Sequence, residues 1–358
     1  MSNSPLFPTT VVGSMPRPRM VQELLDPETG ARLGPDVLRS RMDSAVRFMI
    51  VMMESAGIDI ISDGEWRRRS YTDVVAQMVD GFAPGDQHPT RTGAHFFTVE
   101  EPLHNHRHLI AEEARFLKAN TDRKVKVCLP SPFILGQRMW HPEVSKAAYP
   151  TRRDFVRATV PILRAELEAV RDAGIDVVQI DEPHLSGFCD PVGRREFDDP
   201  DSDLDFLVGC LNDVVSGVTG ITIALHICHF NTGRRGTGWV NEGGYAPIIP
   251  ALKSLDVQQY TLEFSIPVAG DIEVLTEIPD DRDVAVGCVD CRSANVDTPE
   301  EIAARIETAM RYHPKERILL APDCGFAPHL QSAIPLDEAY TKLQNEVQAA
   351  QILRERHG

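Results

Sequence analysis

Basic residues are scarce in this 358-residue chain: 37 Lys and Arg stand against 53 Asp and Glu, a formal charge of −16. Nucleic acids and acidic membrane surfaces are polyanions, so a deficit of this size disfavours both as partners. It leaves room for a local basic pocket. No run of about 18 apolar residues exists, and no membrane span is expected. The opening residues, MSNSPLFPTTVVGSMPRP, lack a basic stretch followed by an apolar one, so no secretory signal is expected. The seven cysteines are odd in number and scattered, which argues against a disulfide framework and for a reducing, cytoplasmic setting. Low-complexity tracts and long linkers are missing too. No GxGxxG follows the first strand-like run, which argues against a dinucleotide-binding sheet.

What is present is a recurring pattern. With 42% hydrophobic and 25% charged residues the chain can bury a full core. Eight short β-branched runs recur, at 9–13, 57–62, 124–129, 175–181, 221–226, 257–263, 284–289 and 317–321. Amphipathic stretches lie between them, as at 37–55, 152–173, 299–312 and 336–354. Alternating strands and helices point to a parallel α/β fold, and eight strands fit a closed (β/α)₈ TIM barrel. The expected organisation is one barrel over 1–358, with an insertion at about 82–123, a His-rich and charged stretch read as a hairpin with a helix.

The ends of the runs carry the chemistry. The fifth ends in His226-Ile227-Cys228, the sixth in Glu263, and the eighth leads into Pro322-Asp323-Cys324-Gly325. In a (β/α)₈ barrel the C-terminal strand ends converge on one face, where active sites sit. Alternate residues of a strand point the same way, so His226 and Cys228 can face one ion together. Imidazole, thiolate and carboxylate are all zinc ligands, and four of them complete a tetrahedron. The expected metal set is His226, Cys228, Glu263 and Cys324.

These segments resemble the C-terminal catalytic barrel of cobalamin-independent methionine synthase, over nearly the whole chain and in the family's order. VVGSMPRP is similar to its glycine-serine strand end, at Gly13 and Ser14. Asp63-Gly64-Glu65 is similar to its acidic loop, and Gln179–Pro183 to its substrate strand. HIC, LEFS and PDCGF resemble its zinc segments. The resemblance implies Zn²⁺ on the four ligands and homocysteine as the thiol. It also implies Ser14, Glu65 and Asp181 around the amino acid, with the two carboxylates on its ammonium.

Two departures bear on the methyl donor. Complete members of that family carry two barrels. Their DxHS segment, whose histidine is thought to protonate the leaving folate, reads Asp290-Cys291-Arg292-Ser293 here. Arginine cannot give up its proton at working pH. A methyl-corrinoid or corrinoid protein, whose leaving group needs no proton, is the expected donor, and Arg292 is expected to hold an anionic group. The alternative is alkylation of coenzyme M, with Arg67, Arg68 and Arg69 as a sulfonate site. A metal-free barrel of the uroporphyrinogen decarboxylase type would have no use for this ligand set. Trp66 and Trp140 are read as lining the mouth or simply packing.

Overall fold

The computed structural model describes residues 5–84, 97–197, 199–230, 234, 240–330 and 334–358. Seven parallel strands run in the order β1 (Ile60–Ile61), β4 (Lys124–Pro130), β5 (Val177–Asp181), β6 (Thr222–Ile227), β7 (Gln259–Glu263), β8 (Asp283–Val289) and β9 (Ile318–Pro322). The first expected strand shrinks to Thr9 and Thr10, which bridge in parallel to Leu320 and Ile60. Thr10 N–H donates to Leu320 O at 2.9 Å, and Ile60 N–H to Thr9 O at 3.0 Å. Those bonds close the sheet between β9 and β1, and the result is an eight-stave barrel.

The helices form where the apolar spacing anticipates them. Thr151 caps the Arg152–Asp172 helix in a capping box with Asp154, and Thr298 does the same with Glu301 for Pro299–Ala309. The expected insertion begins earlier than its composition suggests. An antiparallel hairpin of β2 (Val79–Pro84) and β3 (Phe97–Asn105) precedes the helix Leu109–Lys118. That helix is tied to its neighbours, since buried Glu166 accepts from Ala111 N–H at 2.8 Å and meets His108 Nδ1 at 2.7 Å.

Strand alternation stacks the barrel interior in layers. Ile60, Val177, Ala224, Ala285, Leu319 and Ala321 make an apolar floor. Lys126 and Gln179 lie above it, both buried, with Lys126 Nζ donating to Gln179 Oε1 at 2.9 Å. At the C-terminal rim β5 and β6 are in register so that Asp181 stands beside His226. The layering thus brings the polar strand ends together above a dry floor.

Candidate active site

Two clusters meet at one cavity, open at its mouth, which all of their side chains but Cys128 line. In the first, ligand atoms of His226, Cys228 and Cys324 all lie within 4.8 Å of one another, and all three side chains are buried. Nδ1 of His226 lies 3.1 Å from Thr261 O, so the network assigns the proton to Nδ1. Nε2 is left buried with no partner among the described residues. A ring held through one nitrogen and bare at the other is how histidines are presented to metals. Cys228 sits well below the usual thiol range, held as thiolate chiefly by the hydrogen bond from Cys324, then by His226. Two soft sulfurs and one bare imidazole nitrogen fit Zn²⁺.

Glu263 stands outside that trio. Its Oε2 accepts from His229 N–H at 2.8 Å, while its Oε1, beside Arg292 Nη2, is buried with no hydrogen-bond partner among the described residues. Arg292 is buried and is not among the residues that line the cavity.

The second cluster is Glu65, Cys128 and Asp181, with ligand atoms within 4.8 Å of each other. Close backbone approach makes it. A Cβ at Gly13 would stand 2.8 Å from both Cys128 Sγ and Glu65 Oε1, and one at Gly325 would stand 2.2 Å from Ser14 Oγ. Gly64 and Glu65 both take left-handed backbone, at φ 68° and 55°. A non-glycine residue there is strained and needs its surroundings to hold it. Arg17 does so by donating to Glu65 O at 2.9 Å, as does Asp63 Oδ1 by accepting Glu65 N–H at 2.9 Å. Gln179 Nε2 donates to Asp181 Oδ1 at 2.8 Å, which aims the carboxylate. Burial raises Glu65 above the usual carboxylate range and lifts Asp181 to about 7.

Ser14 and Gly13 line this cavity with Glu65 and Asp181. Arg67 goes elsewhere: it pairs with Asp43 at 2.7 Å and lies 4.6 Å over the Phe116 ring, against a separate cavity. Arg68 turns inward, 2.8 Å from Glu113 and 4.0 Å from Glu65. Arg67 and Arg68 therefore turn to different partners and do not converge on one site. Trp66 is fully buried against Phe48, and Trp140 Nε1 donates to Tyr149 O, so both pack. Sequence reasoning missed Cys128, Tyr71, Arg138 and His329, all at the site. Cys128 had a signal, since it shares a strand face with inward-pointing Lys126.

Burial sets a pH dependence for the whole ligand-free protein. Desolvation raises Asp73, Glu113, Asp181 and Glu182 to about 7 and Asp323 to about 6. An acid with a higher pKa folded than unfolded binds its proton more tightly when folded. The stability this contributes is complete below about pH 4 and is lost as pH rises through about 7. The melting temperature of ligand-free protein is therefore expected to fall from pH 5.5 to pH 8. A rise across that interval, by scanning calorimetry, would contradict these assignments.

A profile of the family described as "Cobalamin-independent synthase, Catalytic domain" matches residues 7–352. The chain belongs to that family. It is similar to the methionine synthase of Saccharolobus solfataricus, 26% identical over 361 residues that cover 99% of this chain and 97% of that protein. It is also similar to the methionine synthase of Sulfolobus acidocaldarius, 25% identical over 354 residues, 98% and 93% of the two. Among solved structures, a B12-independent methionine synthase from Shewanella sp. W3-18-1, in complex with selenomethionine, superposes with a TM-score of 0.82 at 23% identity over 98% of both chains. A methyltransferase from Methanosarcina mazei shares the fold more loosely, with a TM-score of 0.57 at 14% identity over 96% of this chain and 94% of that one. These relatives give the coenzyme M alternative no support. The methionine synthases cited match this chain over nearly their whole length.

Proposed function

We propose that this protein is a zinc-dependent methyltransferase that converts homocysteine to methionine. The observation that carries the reading is the pair of clusters in one cavity: a soft His/Cys/Cys trio with a bare Nε2 beside two paired carboxylates. Homocysteine carries a thiol for the first and an ammonium for the second. Bound at His226, Cys228 and Cys324, Zn²⁺ would keep the substrate sulfur deprotonated near neutral pH. Glu65 and Asp181 grip the ammonium, and Ser14 and Gly13 shape the wall beside them. That grip fixes the sulfur for in-line attack. The S–CH₃ bond forms as the donor–CH₃ bond breaks, the electron pair leaves with the donor, and the thiol proton passes to solvent. We read 1–358 as one barrel domain carrying an added hairpin. The seven cysteines are all free and buried, which supports a cytoplasmic setting. No helix among the described residues is long and apolar enough to cross a membrane.

Purified protein is expected to hold about one zinc per chain. Saturating homocysteine is expected to release about one proton and to add a sulfur neighbour in X-ray absorption. An unchanged metal environment at saturating thiol would end this reading.

With Asp181 and Glu65 taken up by the ammonium, the donor follows from which other groups can give a proton. Methyltetrahydrofolate leaves well only if its nitrogen is protonated, and general acid help of that kind is worth about 10²–10⁴-fold. Arg292 lies off the cavity and stays charged. His329 lines the cavity, but burial, then Arg138, lowers its pKa, which makes it a poor proton carrier at pH 7. Free methylcobalamin is therefore expected to support methionine formation at least about tenfold faster than methyltetrahydrofolate. Robust turnover with the folate alone would overturn the corrinoid assignment.

A further inference from the structure

Asp181 can hold an ammonium only if its oxygens point into the cavity, and its aim is set from below. Val177, Gln179 and Asp181 are alternate residues of β5, so all three face the barrel interior. Gln179 Nε2 donates to Asp181 Oδ1 at 2.8 Å, and no other side chain among the described residues donates to that carboxylate. An amide can turn end for end with almost no change of shape. Turned over, Gln179 would set its carbonyl oxygen against the carboxylate, acceptor to acceptor.

Lys126 decides which end faces Asp181. It is in register with Val177 of the floor, and its Nζ reaches up to donate to Gln179 Oε1 at 2.9 Å. Thr261 Oγ1 makes a longer contact with the same oxygen, at 3.5 Å. At the other end of the amide, Nε2 also donates to Val12 O at 3.0 Å. An ammonium offers only donors and a backbone carbonyl only an acceptor. The reversed amide would therefore clash in kind at both ends. Lys126 and Gln179 are buried, so no solvent is at hand to satisfy that arrangement.

We propose that Lys126 is a positioning residue: through the Gln179 amide it keeps the Asp181 carboxylate aimed into the cavity, and so sets the preference for a ligand that carries an ammonium. The inference rests on the homocysteine reading given above. Direct charge is the competing route. Burial lowers the Lys126 pKa, while Cys128, Asp181, Glu346 and Glu65 raise it, so Lys126 and the acidic cluster also act on each other through space.

The test is calorimetric binding of methionine and of 4-(methylthio)butyrate, which is methionine without its amine, to full-length protein. Wild type is expected to prefer methionine. Lys126→Met should weaken methionine about tenfold and change 4-(methylthio)butyrate by less than about threefold. Gln179→Met should show the same selective loss. Lys126→Met/Gln179→Met should bind methionine within about twofold of Gln179→Met, because Lys126 then has nothing left to act through. A further tenfold loss in the double variant would show that Lys126 acts by its own charge and overturn the proposal. Equal losses for both ligands in Lys126→Met would reduce it to a support of the barrel and overturn the proposal too. If Lys126→Met does not fold, Gln179→Met and the double variant decide between them, since the double variant replaces both partners of the Lys126–Gln179 hydrogen bond with apolar side chains. Should wild type fail to distinguish the two ligands, the ammonium reading falls and this inference with it. A wild type that distinguishes them, beside a Lys126→Met that does so equally well, would remove only the role given to Lys126.

Discussion

Cys324→Ser is expected to lower zinc affinity by more than 100-fold and to abolish methyl transfer with it. Removing an outer-shell partner already costs about 10–100-fold in metal affinity or activity, so a direct ligand should cost more. Serine keeps the shape of the side chain but not its chemistry. Its hydroxyl stays protonated at neutral pH, whereas the thiolate is the form that binds metal. Cys288→Ser is the matched control. Cys288 is equally buried and donates to Ala321 O at 3.5 Å, but it is not in the cavity. That variant is expected to keep its zinc. Full zinc retention in Cys324→Ser, with unchanged sulfur coordination by X-ray absorption, would remove Cys324 from the site.

The contrast between those two cysteines shows what a sequence can and cannot say. Strand ends were legible because alternation along a strand is strict. His226 and Cys228 had to share a face, and Asp181 had to point opposite to Glu182. The barrel then required those ends to meet. The strands at 9–13 and 57–62 were legible as strands but not in extent. Only two residues of each pair in the sheet, because the chain turns early to bring Gly13, Ser14 and Glu65 over the cavity. Contacts set by side-chain reach were not legible. Arg67 and Arg68 are adjacent in sequence and read as a cluster, yet the turn they occupy sends one to Asp43 and the other to Glu113. Glu263 could be placed at a strand end from the alternation, but the hydrogen bond that its Oε2 accepts from His229 N–H, across 34 positions, could not.

Asp181→Asn is expected to weaken homocysteine and methionine binding by about 2–5 kcal/mol, roughly 30- to 5000-fold, as for removal of one partner of a buried charge pair. Two carboxylates crowded with a thiol inside 4.8 Å form a site that needs a cation. Two guanidiniums lie near Glu65 and are committed elsewhere: Arg68, 4.0 Å from its carboxylate, pairs with Glu113 at 2.8 Å, and Arg17 donates to the backbone oxygens of Glu65 and Ala327. Lys126 is turned to Gln179, one layer below. An incoming ammonium therefore meets two buried carboxyls that it favours in their charged form. Asparagine preserves the volume and the hydrogen bond with Gln179 but not that charge. The decisive ligand is 4-mercaptobutyrate, which is homocysteine without its amine. Its binding to the variant should stay within about threefold of wild type, because it never used the carboxylate. A pH signature accompanies the loss. Asp181 titrates at about 7, chiefly through desolvation, so wild-type affinity for methionine should climb between pH 6 and pH 8 as the carboxylate ionises. In Asp181→Asn that climb should shrink to whatever Glu65 supplies. Equal losses for homocysteine and 4-mercaptobutyrate, with an unchanged pH profile, would show that Asp181 only holds the cavity's shape.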